Sequence, residues 1–248
     1  MRCEDAVAVV SGGSSGLGRA AVEALDAAGA TVVAVDLTPP ARELPHRVHF
    51  RAADVRDEEA VAAAVEYACG LGELRVAVCC AGVSSVGRIT RRGEPLPLEE
   101  FKRVLEVNLV GTFNLLRLAA TAMVGNEPIE GERGVLLATA SAAAFEGQIG
   151  QVSYAASKAG IVGMTLPIAR DLAESQVRCL AVAPGLFDTP LLAELPPAAR
   201  EQLGASVPHP SRLGDPAEFG ALVRSLVENP MMNGETVRID GALRMGPR

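Results

Sequence analysis

The segment from Ala6 to Asp36 constrains the fold more than any other part of the chain. Ala6–Val10 is a short apolar run without polar alternation, which suits a strand buried on both faces of a parallel sheet. It ends in Ser11-Gly12-Gly13, and the glycines continue as Gly12-x-x-x-Gly16-x-Gly18 into an Ala-rich helical pattern, Arg19–Ala28, closed by Gly29. A second run, Thr31–Val35, then delivers Asp36. Strand, glycine turn, helix, strand and terminal acid make a dinucleotide-binding unit. Glycine lets the backbone approach a pyrophosphate, the helix N-terminus attracts its charge, and the acid accepts hydrogen bonds from a ribose. A carboxylate there repels a 2′-phosphate, so Asp36 predicts NAD over NADP. The spacing departs from G-x-G-x-x-G, and a tight turn without ligand would use the same glycines; Asp36, placed as it is, favours the cofactor.

The rest of the chain continues the alternation. Strands are expected at Val48–Ala52, Leu74–Cys80, Gly134–Ala140, Val177–Ala183 and Glu235–Ile239. Helices are expected from an Asp57 cap, with Glu58 and Glu59 in the first turn, to about Cys69, and over Leu98–Met123. Two more run from Tyr154 to about Ser175 and from the Asp215-Pro216 N-cap and N1 pair to about Glu228. Pro167 lies inside the third and should kink it.

In 248 residues no linker, internal repeat or low-complexity tract is found. The prediction is a single α/β domain, a doubly wound parallel sheet of about seven strands with helices on both faces. Loops at the carboxyl ends of such strands line the ligand crevice, which puts Asp54, Val55 and Cys80-Ala81-Gly82 on the adenine side. Leu186–Arg212, rich in Pro and Leu, reads as short helices of a substrate lid over about 186–213. Ser84–Pro97, with Arg88, Arg91 and Arg92, reads as a solvated loop.

Acid–base chemistry centres on Tyr154-x-x-x-Lys158. On a helix this spacing sets phenol and ammonium one turn apart on one face. A tyrosine near its ordinary pKa of about 10 is a poor proton carrier at neutrality, and a neighbouring cation lowers that value. A solvated Lys on an ordinary helix would have the same spacing. The chain has only two tyrosines and two lysines, however, so chance gives such a pair about once in sixty sequences of this composition. Of its 23 basic residues, 21 are arginine, and a lysine kept here implies that a compact point charge is wanted. Asn108, in the apolar middle of a helix, needs partners for its amide and suits a structural or a proton-relay role equally.

The formal charge of −7, without any block of like charges, argues against nucleic acid as a partner. No run is long enough for a membrane span, and the start leaves no room for a targeting peptide. Five cysteines, an odd number without C-x-x-C, indicate neither a disulfide framework nor a zinc site. His46, His49 and His209 lack ligand spacing, so no metal is expected. A reduced, cytoplasmic protein is predicted.

Jointly, Gly12-x-x-x-Gly16-x-Gly18, Asp36, Asp54, Asn108, Ser141, Tyr154-x-x-x-Lys158 and Pro184-Gly185 resemble the short-chain dehydrogenase/reductase family over nearly the whole chain. Finer stretches are similar to its subfamily of type 2 3-hydroxyacyl-CoA dehydrogenases: Ala144–Gln148, Gly163–Leu172, Ala183–Phe187, Pro210–Glu218 and Asp240-Gly241-Ala242. The Arg-bearing loop sits where that subfamily carries an insertion.

The resemblance implies an NAD-dependent oxidoreductase that interconverts 3-hydroxyacyl-CoA and 3-ketoacyl-CoA, with a place in fatty acid metabolism and a homotetrameric assembly. It implies Tyr154 as acid/base, Lys158 on the nicotinamide ribose, Ser141 on the reacting oxygen and Asn108 holding a relay water. Ser15, Leu17, Asp36, Asp54, Val55, Cys80, Phe187 and Thr189, with the Gly12–Gly18 turn, Ala81, Gly82, Pro184 and Gly185, would contact NAD, and Gln148 the substrate. Ser11 stands where the family carries Thr, which keeps the hydroxyl, and Cys79-Cys80 replaces Asn-Asn, which loses side-chain amides. The rival readings are a hydroxysteroid or other secondary-alcohol dehydrogenase, a 3-ketoacyl-carrier-protein reductase, and a cofactor-binding regulator without turnover. Asp36 counts against the NADPH-using reductase, and Ser141, Tyr154 and Lys158 against the regulator.

Overall fold

Val7–Ser11 forms strand β1 and is buried at every position. Val7 and Val9 join one hydrophobic core while Ala8 and Val10 join another, as the two-residue side-chain period of a strand covered on both faces requires. The computed structural model describes residues 1–41, 43–193 and 195–247. After β1 come α1 (Gly16–Ala27), β2 (Thr31–Asp36), β3 (Val48–Ala52), α2 (Glu58–Leu71) and β4 (Leu74–Cys79). A hairpin of β5 (Thr90–Arg91) and β6 (Glu94–Pro95) leads to α3 (Leu98–Leu105), a π turn (Glu106–Val110) and α4 (Gly111–Met123). Then follow β7 (Gly134–Thr139), a 3-10 turn (Ala142–Ala144), α5 (Val152–Asp171), β8 (Val177–Pro184), α6 (Pro190–Ala193), α7 (Pro197–Ala205), α8 (Pro216–Glu228) and β9 (Thr236–Ile239).

Seven strands pair in parallel in the order β3-β2-β1-β4-β7-β8-β9. Residues of α2, α4 and α5 share one core with the sheet, and residues of α1 and α8 share the other. This is the doubly wound Rossmann architecture the sequence predicts. Strand order reverses between β1 and β4, so the ligand crevice opens at their carboxyl ends.

Capping chemistry sets helix starts where the sequence places them. Asp57 accepts from Glu59 N and Ala60 N at 3.0 and 3.1 Å, and Asp215 and Glu218 form a reciprocal capping box at α8. Other features depart from the expected pattern. The segment read as a solvated loop carries the β5–β6 hairpin, and a π turn at Asn108 interrupts the helix expected over Leu98–Met123. Helix α5 begins two residues before Tyr154, runs through Pro167 and ends at Asp171 rather than near Ser175. At the opposite end of the sheet Arg178, buried, pairs with Glu132 and donates to the carbonyls of Leu226, Val227 and Met232. It thereby satisfies carbonyls that the end of α8 leaves without helical partners. No helix among the described residues is long and apolar enough to cross a membrane.

Candidate active site

The nucleotide half is built on the turn between β1 and α1. Gly12 has φ +68°, and a Cβ there would lie 2.7 Å from Ala81 N, so only glycine lets this turn lie against the end of β4. Ser11 Oγ accepts from Ala81 N at 3.4 Å and Ser11 O from Cys80 N at 3.0 Å, which shows what the hydroxyl retained at position 11 does. Ser15 caps α1 in an extended conformation without a side-chain cap bond, and no acidic side chain lies in the first turn. The helix start therefore suits an anion. A Cβ on Gly16 would lie 3.6 Å from Thr189 and Pro190, so the start of α6 lies over this turn.

Asp36, the last residue of β2, accepts from Ser14 N at 3.1 Å and Leu37 N at 2.8 Å, so its carboxylate is oriented toward the turn. Asp54 is engaged by Arg56, whose guanidinium lies 2.6 Å away; that hydrogen bond holds the Asp54 carboxyl below its usual range. Val55 is buried, with its carbonyl accepting from Asn114 Nδ2 at 3.0 Å. These contacts hold both positions, and the Asp54 side chain stays 29% exposed. Cys80 Sγ contacts Thr139 Oγ1 at 3.3 Å, and burial pushes its thiol up to about 11. All five cysteines are free thiols.

The chemical half lies one strand further on. Ser141 follows β7 and caps the 3-10 turn, its Oγ accepting from Ala143 N at 3.1 Å. Tyr154 and Lys158 share a face of α5, and Lys158 Nζ lies 5.7 Å from the centre of the Tyr154 ring. Lys158 is 5% exposed and donates to Thr139 O at 2.7 Å. Burial lowers its ammonium to about 8. Tyr154 is raised, because burial outweighs its hydrogen bond with Ser141. The expectation that the lysine charge lowers the phenol does not describe this geometry: desolvation governs both groups, and the ammonium is turned to a carbonyl.

Asn108 is fully buried in the π turn, a helix irregularity that often marks functional sites. Its Oδ1 accepts from Val83 N at 2.8 Å, and its Nδ2 donates to Val83 O at 2.9 Å and Ser157 Oγ at 3.0 Å. Ser157 in turn donates to Tyr154 O at 2.7 Å. The amide thus ties the loop after Gly82 to the helix that carries Tyr154 and Lys158, and both its protons are committed. Ser157 and Thr139 are parts of this site that the sequence did not single out. Their partners lie 49 and 19 residues away, and no local spacing announces them.

The segment that follows β8 is held at several points. Pro184 ends β8, and Gly185 N donates to Ile239 O at 2.9 Å. The Phe187 ring is buried and packs against Gly214. Gln148 is held by the C-terminal segment, its Nε2 donating to Gly246 O at 3.1 Å.

Comparison with known proteins agrees with this geometry. The short chain dehydrogenase family model matches residues 6–200. Human 3-hydroxyacyl-CoA dehydrogenase type-2 is 51% identical over 250 residues, covering 97% of this chain and 96% of that protein. The Drosophila melanogaster protein of the same name is 49% identical over 253 residues, covering 98% and 99%. A crystal structure of 3-hydroxyacyl-CoA dehydrogenase type-2 from Mycobacterium avium superimposes with a TM-score of 0.93 at 42% identity, over 98% of this chain and 97% of that one. With Ser141 after β7, Tyr154 and Lys158 on α5, and Asp36 at the end of β2 bonded to the glycine turn through Ser14 N, the chain belongs to the short-chain dehydrogenase family.

Proposed function

We propose that this enzyme is an NAD-dependent oxidoreductase that interconverts 3-hydroxyacyl-CoA and 3-ketoacyl-CoA. The observation that carries this reading is the placing of Ser141, Tyr154 and Lys158 at the carboxyl edge of the sheet, next to the nucleotide turn. Relatives about half identical over nearly the whole chain bear the name of that activity.

The residues fit a nicotinamide dinucleotide. Gly12 keeps the pyrophosphate approach free of a Cβ, the start of α1 receives the phosphates, and Asp36 receives the adenosine ribose. When bound, the nicotinamide supplies or takes up the hydride. The chain's own groups then manage the proton and the geometry. The Tyr154 phenol gives its proton to the oxygen of the 3-keto group and takes it back from the alcohol in the reverse direction. Ser141 Oγ holds the same oxygen, and Lys158 places positive charge beneath the site and meets the nicotinamide ribose. Asn108, through Ser157 and Val83, fixes these groups relative to one another and retains an Oδ1 lone pair for a relay water. Helices α6 and α7 form the lid over about 186–213 that excludes water. The tetrameric assembly we infer has support in exposed apolar side chains on adjoining helices, Phe113 on α4 and Leu166 on α5.

Initial rates of NADH oxidation with acetoacetyl-CoA, a ketosteroid and a simple β-ketoester test the substrate class. Acetoacetyl-CoA should give the largest kcat/KM; a larger value with the ketosteroid would favour the hydroxysteroid reading. In the same assay NADH should exceed NADPH by roughly 100-fold in kcat/KM, since Asp36 would face a second negative charge. Asp36→Ala should narrow that ratio, and an unchanged ratio would remove Asp36 from cofactor selection.

The hairpin supports the thioester. Arg91 and Arg92 are exposed on β5 and its turn, and Gly87 N in the same loop donates to Gly150 O at 2.8 Å, four residues before Tyr154 of α5. We read the pair as meeting phosphates of coenzyme A. Because exposed ion pairs are weak, Arg91→Ala with Arg92→Ala should raise KM for acetoacetyl-CoA roughly threefold to fivefold and leave a phosphate-free ketone unaffected. Equal effects on both substrates would count against this contact.

A further inference from the structure

Strand β9 and the residues after it make no chemistry of their own, yet they grip the turn between Ser141 and Tyr154 at several points. Arg238, in register with Ala183 on the neighbouring strand, sends its guanidinium across to this turn. Nη1 and Nη2 donate to the two carboxylate oxygens of Glu146 at 2.7 and 2.8 Å. Nε donates to Asp240 Oδ2 at 2.6 Å, Nη2 also to Leu243 O at 3.0 Å, and the guanidinium lies 5.1 Å from the centre of the Phe145 ring. This is a fork-on-fork pair with its anchor fixed from behind, the arrangement in which an arginine orders its partner. The side chains are about a fifth exposed, 21% for Arg238 and 23% for Glu146, so solvent screens them only in part.

Two backbone carbonyls complete the grip. Gly246 O accepts from Gln148 Nε2 at 3.1 Å, and Pro247 O accepts from Ile149 N at 3.0 Å. The same segment reaches the cofactor turn, where Ile239 O accepts from Gly185 N, and the lid segment, where Gly241 O accepts from His209 N at 3.2 Å. Of these contacts only the Arg238 pair is charged and bidentate.

We propose that Arg238 is a positioning residue for the reaction: by locking Glu146 it fixes the Phe145–Gln148 turn, and so the wall of the site against which the acyl substrate lies. This rests on the reading above in which Gln148 contacts substrate. Arg238 touches no reacting atom and acts through the turn. Its loss is expected to weaken substrate binding more than the chemical step, because Tyr154 and Lys158 are held independently by Ser157 and Thr139.

The test uses Arg238→Met, which keeps the stem and removes the fork. Hydrogen exchange of backbone amides at 145–151 should quicken roughly tenfold, as the loss of hydrogen bonds to a charged group implies. KM for acetoacetyl-CoA should rise roughly tenfold with kcat within about threefold and NADH affinity unchanged, the signature of lost substrate binding. Arg238→Lys should recover little, since a point charge cannot make the fork. In a Gln148→Ala background Arg238→Met should add nothing further to KM. Glu146→Gln, which keeps the shape, must show the same pattern and serves where Arg238→Met does not fold.

Unchanged exchange at 145–151 overturns the proposal. So does a fall in kcat and NADH affinity equal to the rise in KM, which would make Arg238 a general element of the fold. If the wild-type protein reduces a ketone but no thioester, the acyl-CoA reading falls. The exchange result and the KM for that ketone then decide the role of Arg238.

Discussion

Tyr154→Phe should lower kcat by roughly 10²–10⁴, the range carried by one positioned proton donor. The substitution keeps the ring and its packing and removes only the hydroxyl that hydrogen-bonds Ser141. NADH affinity should stay within about threefold and the melting temperature near that of the wild type, which separates a lost proton from a lost fold. In the free enzyme burial raises the phenol above its ordinary value, so at neutral pH it is protonated and ready to donate. Reduction of a ketone should therefore be insensitive to pH through neutrality and fall only in alkali. Oxidation of the alcohol, which needs the phenolate, should climb over the same range. Both profiles should disappear in Tyr154→Phe. Full activity in that variant would end the mechanism proposed here and revive the reading of a cofactor-binding protein without turnover.

How much of this was legible in the sequence depends on the distance over which each interaction works. The sheet was, because Val7–Ser11, Thr31–Asp36 and Leu74–Cys79 are mostly apolar and stand next to glycine-bearing turns. Tyr154 and Lys158 were, because one helical turn relates them. Asn108 was visible only as an anomaly, a polar residue in an apolar helix. What it holds, Val83 and Ser157, lies 25 and 49 residues away and follows from the crossover of the chain.

Arg238 and Glu146 are separated by 92 residues, and nothing local to either distinguishes them from other charged residues. The direction of the Tyr154 shift could not be read for a related reason. Adjacent charge is visible in spacing, whereas desolvation depends on everything packed around the group, and here it decides the sign. Phe187 shows the same limit, since its neighbour Gly214 comes 27 residues later in the chain.

Lys158→Met gives the sharpest separation of function from stability. Catalysis should fall by roughly 100-fold or more, since a preorganised charge at the reacting centre is lost. Stability follows a different rule. Burial drops the ammonium from 10.5 to about 8, so the unfolded chain holds this proton more tightly than the folded one. Stability from this group accordingly rises with pH between about 8 and 10.5. Below 8 the folded protein carries a constant penalty, on the order of 3 kcal/mol at about 1.4 kcal/mol for each tenfold change in proton affinity. Methionine removes that penalty but leaves Thr139 O without its 2.7 Å donor, a loss of about 1–3 kcal/mol. At pH 7 the two nearly offset, and the variant should be as stable as the wild type or slightly more so. Above about pH 10.5 only the lost hydrogen bond remains, and the wild type should lead. Denaturant unfolding of both proteins at pH 7 and at about pH 11 reads the difference directly, since the other titrating groups are common to both and cancel. A gap that stays constant with pH would mean that Lys158 keeps its ordinary proton affinity in the folded enzyme, held by water or by the carbonyl of Thr139, and that the site pays no electrostatic cost for its lysine.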